Sequence, residues 1–170
     1  MNLSMSLGDL QAFARGLRDA PEYTDRVLQE AMTEATKLVQ REWQENLFEH
    51  IATGITRGSI TSDVASTPAG ILGVVSSSQP SALFIELGTR PHWVGKTGRE
   101  ALGAWAIKRL GVSKKEAPRV AYAIARKIAR EGTPAQHPMA RAVQSTEGQV
   151  VAMFERAAAK VAAHLVGARK

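Results

Sequence analysis

The feature that most constrains this chain is a helical stripe in its first third. Leu28, Met32, Ala35, Val39 and Trp43 recur at intervals of three or four residues, and Leu47, Phe48 and Ile51 continue the series. That period predicts one long amphipathic helix over 21–52, with Pro21 in its first turn and its end near Ile51. At the helical rise it spans on the order of 45 Å. A spine of that length must bury one side, so the rest of the chain has to supply the cover. Upstream, Leu10, Phe13, Ala14 and Leu17 return to one face and predict a short helical arm within 1–20. Asp19, Ala20 and Pro21 are expected to separate the arm from the spine.

The cover begins where composition changes. From Thr53 onward Gly54, Gly58, Gly70 and Gly73 mingle with Ser, Thr and Val, a mixture that favours strands and turns. The pattern predicts a meander over 59–87: Ser59–Ala65 alternating Ile60 and Val64, a Pro68-containing turn, Ile71–Ser76 as hairpin partner, and Ala82–Leu87 as a third strand. Helical periodicity returns over 98–131. The first helix there carries Leu102, Trp105 and Ala106 as far as Leu110; the second runs from about Lys114 to Glu131. In that second helix Val120, Ala121, Ile124, Ala125 and Ile128 oppose Arg119, Arg126 and Arg130. Gly132 and Pro134 end it. A last helix over 137–166 carries Val143, Val150, Phe154, Ala157, Val161 and Leu165. The fold class expected is α+β: a long N-terminal helix and C-terminal helices packed on one face of a small antiparallel sheet of about three to four strands, as a single domain over 1–170.

Composition narrows the function classes. A chain of 170 residues buries roughly 70% of its unfolded surface, enough for a real core. Hydrophobic residues at 44% and charged residues at 22% are ordinary globular values, which argues against disorder. No apolar run approaches the roughly 18 residues of a membrane span. Met1–Ala20 carries Asp9, Arg15, Arg18 and Asp19 without an apolar core, so no secretory signal is expected and the mature protein is expected to be the whole chain. With no cysteine, disulfides and thiolate metal sites are excluded. An aromatic share of 5% thins the supply of platforms for single-strand nucleic acid.

Charge is distributed unevenly. Asp9–Glu49 holds nine acids and five bases, net −4, whereas Arg90–Glu131 holds eleven bases and three acids, net +8. Nucleic acid against the basic half, head-to-tail contact between copies, and two solvated faces are all compatible with this dipole. Arg119, Arg126, Lys127 and Arg130, with Lys114 and Lys115 nearby, are the candidate interface or DNA-facing bases.

Signals for catalysis are weak. Gly95-Lys96-Thr97 resembles the end of a phosphate loop, but Arg90 stands where the first glycine belongs and Pro91 lacks an N–H to donate. His50, His92, His137 and His164 lack metal-ligand spacing. His92 near Glu86 is a conceivable metal ligand or base, with a surface histidine as the plainer reading. The expectation is therefore no enzyme, with no catalytic, cofactor-binding or metal residues; an unrecognised small hydrolase is the third hypothesis.

Four ordered segments carry a family resemblance. ATGITRGSI at Ala52–Ile60, IELGTRPHWV at Ile85–Val94, the ALGAWAIKR stretch around Trp105, and GTPAQHPMARAV at Gly132–Val143 resemble, in order and spacing, the tail-completion or minor tail (head-tail joining, neck) proteins of long-tailed, siphovirus-type bacteriophages and prophages. The resemblance covers most of the chain. Its motif and turn residues are Gly54, Arg57, Ser59, Glu86, Gly88, Thr89, Pro91, Trp105, Gly132, Thr133, Pro134 and Pro138. It implies a virion subunit of the tail or neck, assembled in the bacterial host cytoplasm. Such a subunit forms a ring with itself, expected to be hexameric, between the head connector or stopper and the tail terminator or tail tube. Passive contact with DNA in the lumen is compatible with it, and no membrane partner is implied. The alternative is a sequence-nonspecific nucleic-acid-binding protein using the basic segment 90–131.

Overall fold

The computed structural model describes residues 7–47 and 54–167, with side chains over 20–47 and 54–166. Its elements in order are α1 (Leu7–Asn46), α2 (Ile55–Gly58), β1 (Ile60–Thr67), β2 (Gly70–Ser77), α3 (Pro80–Leu87), α4 (Lys96–Leu110), α5 (Ala117–Glu131) and α6 (Pro138–Gly167). The fold is mixed helix and sheet. Contacts divide it into two compact units, one of 1–39, 62–75 and 146–170, the other of 40–61 and 76–145.

Two expectations are corrected. The separate arm and spine are one helix, which passes through Pro21. A proline costs a helix interior one hydrogen bond and some crowding, about 3 kcal/mol. Leu, Ala and Arg on both sides, with Glu22, Glu30 and Glu34 after it, sustain the ladder across it. The expected end of the spine at Phe48–Ile51 lies outside the described residues. Among the described residues the sheet has two strands rather than three or four, because the proposed third strand is α3. Nearly every residue of PSALFIEL is apolar, so alternation carries no information there. Pro80 presets the first turn and Gly88 stops the last.

In the first unit, the buried stripe of α1 runs through Val27, Ala31, Ala35 and Leu38, while the expected Leu28 and Met32 flank it half-buried. Val27 and Ala31 pack with Ala157 of α6, edged by Tyr23, Leu28, Phe154 and Val161. The Tyr23 and His164 rings stack there with centroids 3.8 Å apart. The hairpin lies on α1 at Gly73, where an added Cβ would stand 2.5 Å from Met32 Sδ and 2.6 Å from Thr36 Cγ2. Along β2 the inward series Ile71, Gly73 and Val75 alternates with the exposed Leu72 and Val74.

The second unit is built on small residues. Ala106, Ala117, Ala121, Ala125 and Ala142 are buried, with Trp43, Leu47 and Ile60 as its larger buried side chains. α4 packs on α5, with Gly103 close to Ala117. Gly111, at φ 67°, closes α4 in the left-handed region. Ser113 and Glu116 form a capping box ahead of α5: the Ser113 hydroxyl and N–H donate to Glu116 Oε2 at 2.6 and 3.0 Å, and the Glu116 N–H donates back to Ser113 Oγ at 3.3 Å.

Candidate functional site

Two of the motif segments, IELGTRPHWV and GTPAQHPMARAV, meet in the second unit through threonines 44 positions apart. Thr89 and Thr133 form an isolated antiparallel bridge. The Thr89 N–H donates to the Thr133 carbonyl at 3.0 Å, the Thr133 N–H donates to the Thr89 carbonyl at 3.1 Å, and the two hydroxyls share a hydrogen bond of 2.8 Å. Each threonine follows a glycine that ends a helix. Gly88 after α3 has φ 71° and ψ −175°, and Gly132 after α5 has φ 74° and ψ −159°. That region of backbone space is essentially reserved for glycine. Space demands glycine as well: a Cβ on Gly132 would run into the Thr89 carbonyl oxygen, and one on Gly88 into the Thr133 carbonyl oxygen. The two Gly-Thr pairs thus mirror each other, each closing its helix against the other's backbone.

Glu86 extends this clasp to α6. Its Oε2 accepts the Met139 N–H at 2.8 Å and its Oε1 accepts the Ala140 N–H at 3.1 Å. A carboxylate thereby satisfies two donors that a helix start leaves open, and its charge complements the positive end of the helix dipole. Backbone bonds reinforce the join, with Gln136 N–H donating to the Ile85 carbonyl at 3.0 Å and His137 N–H to the Glu86 carbonyl at 3.3 Å. Pro138, buried, sets the first turn of α6, and its carbonyl accepts from Asn46 Nδ2 at 3.1 Å. His137 makes the bend before it at φ 51°. Pro134 lies against Gly88, and Pro91 follows the bridge in an exposed loop.

Gly54, Arg57 and Ser59 gather elsewhere in the same unit. Gly54, at φ 81°, turns the chain into α2. The Arg57 carbonyl accepts from Gln44 Nε2 at 3.3 Å. Ser59 Oγ donates to the Thr56 carbonyl at 2.7 Å and shares a 2.7 Å bond with Ser77 Oγ, while Thr56 and Ser81 hydroxyls share another at 2.7 Å. Trp105 sits half-buried on α4, outside both groups. The bonds around Arg57 and Ser59 are made through side chains, joining amide or hydroxyl to a backbone carbonyl and hydroxyl to hydroxyl.

The bases stand outward on α5. Arg119, Arg126, Lys127 and Arg130 are all exposed, and the arginines lie within about 40° of arc on the helix. Arg130 Nη2 and Lys127 Nζ approach the Glu131 carboxylate at 3.4 and 4.0 Å, so that end of the stripe is partly neutralised. Glu116 has its carboxyl held below the usual glutamate range by the hydroxyl and N–H bonds from Ser113. His92 does not join Glu86; its Nδ1 lies 2.9 Å from the Arg90 carbonyl. Among the described residues no cluster of His, Cys, Asp and Glu could hold a metal, and no helix is long and apolar enough to cross a membrane.

Sequence reasoning missed a group beside the bases. Trp93 and Tyr122, both about half exposed, meet edge to face with Arg99 over Trp93. Tyr122 carried a signal, since a tyrosine one turn from Arg119 and Arg126 departs from the apolar face of that helix. Trp93 carried one only in being a tryptophan within a motif loop. Comparisons with protein-family models, curated proteins and solved structures find no match.

Proposed function

We propose that this chain is a structural subunit of the tail or head-tail neck of a long-tailed bacteriophage, a virion component assembled in the host cytoplasm. It works by ring-type self-association and by docking between head connector and tail tube, without catalysis. The observation that carries this reading is the clasp. IELGTRPHWV and GTPAQHPMARAV, two of the four segments on which the resemblance rests, are spatial partners through Thr89, Thr133, Gly88, Gly132 and Glu86. A coherent structural reason for those residue types supports treating the motifs as a fold signature rather than a chance of composition. Their chemistry is also that of a joint: the carboxylate is consumed by backbone N–H groups, the two hydroxyls by each other, and the glycines by close backbone approach, which suits a rigid assembly part.

Imaging of purified phage particles with this chain labelled tests the reading. Label at the tail top or neck is the expected result, and particles lacking the chain would sink it. The exposed bases of α5 favour one second reading, sequence-nonspecific nucleic-acid binding through 90–131. A monomer whose DNA affinity falls steeply with salt, and which never associates with itself, would favour that alternative.

A further inference from the structure

Trp93 and Tyr122 are 54% and 51% exposed, an apolar outlay that folding of the chain does not require. They are nevertheless held in place. Their ring centroids lie 6.0 Å apart at an interplanar angle of 75°. Arg99 lies 5.6 Å from the Trp93 ring centre, and its Nη1 donates to the Val94 carbonyl at 2.6 Å. The loop beneath is tied to α5 by the His92 N–H donating to the Ile128 carbonyl at 3.4 Å. With Arg119 and Arg126 one turn to either side of Tyr122, the patch is composed of Trp, Tyr and Arg, the residues in which interface hot spots are enriched.

Nucleic acid fits this geometry poorly. Successive bases stack in parallel, whereas these rings stand at 75° to each other and Arg99 already lies over Trp93. An acidic protein surface would satisfy the guanidinium groups with its carboxylates and cover the rings with the apolar stems of its side chains. The chain carries one on α1, where Glu22, Asp25, Glu30 and Glu34 are all exposed and Arg26 is the one base among them. Among the described residues these four acids take part in no ion pair. Glu22–Glu34 covers about 18 Å of helix, its acids fanned over about half the circumference, and Arg119–Arg130 covers about 17 Å, so the acidic stretch and the arginine stripe are alike in length and opposite in charge.

We propose that the Trp93–Tyr122 pair and the arginine stripe of one copy dock on the acid-rich Glu22–Glu34 stretch of a second copy. The proposal rests on the ring reading above and specifies its contact. A patch that meets a different patch is heterologous, the type of contact from which rings close.

Sedimentation velocity of the full chain, with circular dichroism to confirm folding, tests it by charge exchange. R119E/R126E/R130E and, separately, E22K/D25K/E30K/E34K are each expected to weaken self-association about tenfold or more, and both sets in one chain to restore it. W93A is expected to weaken association at low and high salt alike, because ring burial is not screened. Should a reversal unfold the monomer, glutamine in place of those charges is expected to weaken association in each set alone, and association unchanged in both overturns the pairing. A combined variant as dissociated as its parents overturns the pairing while an assembling wild type leaves the ring reading intact. A wild type that stays monomeric at every concentration overturns both. Loss of DNA binding in W93A with self-association unchanged makes the patch a nucleic-acid site, and the proposal falls.

Discussion

Where α1 meets α6, the contact is made by side chains: Val27, Ala31 and Ala157 fill it, edged by Tyr23, Leu28, Phe154 and Val161. Where the segment after α3 meets the segment after α5, main chain touches main chain at Gly88, Thr89, Gly132 and Thr133. The first kind of contact is graded, losing free energy methyl by methyl. The second is close to all-or-none, since a carbonyl oxygen cannot yield to a Cβ. Tolerance to substitution should therefore differ sharply between the two regions.

Gly132→Ala should expose that difference most. It places a Cβ against the Thr89 carbonyl and forces alanine to φ 74°, so a loss of about 3 kcal/mol is expected. Thermal denaturation checks it, and a melting curve like that of the wild type would mean the clasp is not rigid. Val27→Ala, in the side-chain contact, should cost about 2 kcal/mol. Should the valine change cost more than the glycine change in chemical denaturation, the contrast drawn above is reversed. Glu86→Gln keeps the shape but removes the charge at the start of α6, and about 1 kcal/mol is expected. Amide exchange at Met139 and Ala140 reports it directly, and unchanged protection there would separate Glu86 from the cap.

The smallest effect expected is one of pH. Glu116 has a folded pKa below its unfolded one, so its ionised cap helps α5 fully above the ordinary glutamate range. That help fades as acid carries the pH below that range and through the lowered folded value. NMR titration of the Ser113 amide should show its hydrogen bond weakened on that acid side, and no such pH dependence in Glu116→Gln, whose amide oxygen still accepts. A Ser113 amide indifferent to acid would remove the capping box.

Much of the architecture was legible from residues. Period and punctuation place α4, α5 and α6 within about three residues of where they lie, because Gly111, Gly132 and Pro138 act locally on the backbone. Pro21 misled because its local penalty was outweighed by the helix-forming sequence around it. PSALFIEL misled because periodicity needs polar residues to mark the other face. Among the site residues, the glycines and threonines stood out as turn formers, yet nothing in either segment indicates that Thr89 seeks Thr133.

Local chemistry thus decided where helices begin and end, how charge is shared along the chain, and which chemistries its residue types cannot perform. Tertiary structure alone decided that two Gly-Thr turns would close on each other, that Glu86 would cap a helix 53 positions further on, and that Trp93 would stand beside Tyr122 at the surface. Caps and propensities act over a few residues of one segment. Hydrogen bonds and ring contacts between distant segments exist only once packing has fixed both partners, so no window of sequence contains them.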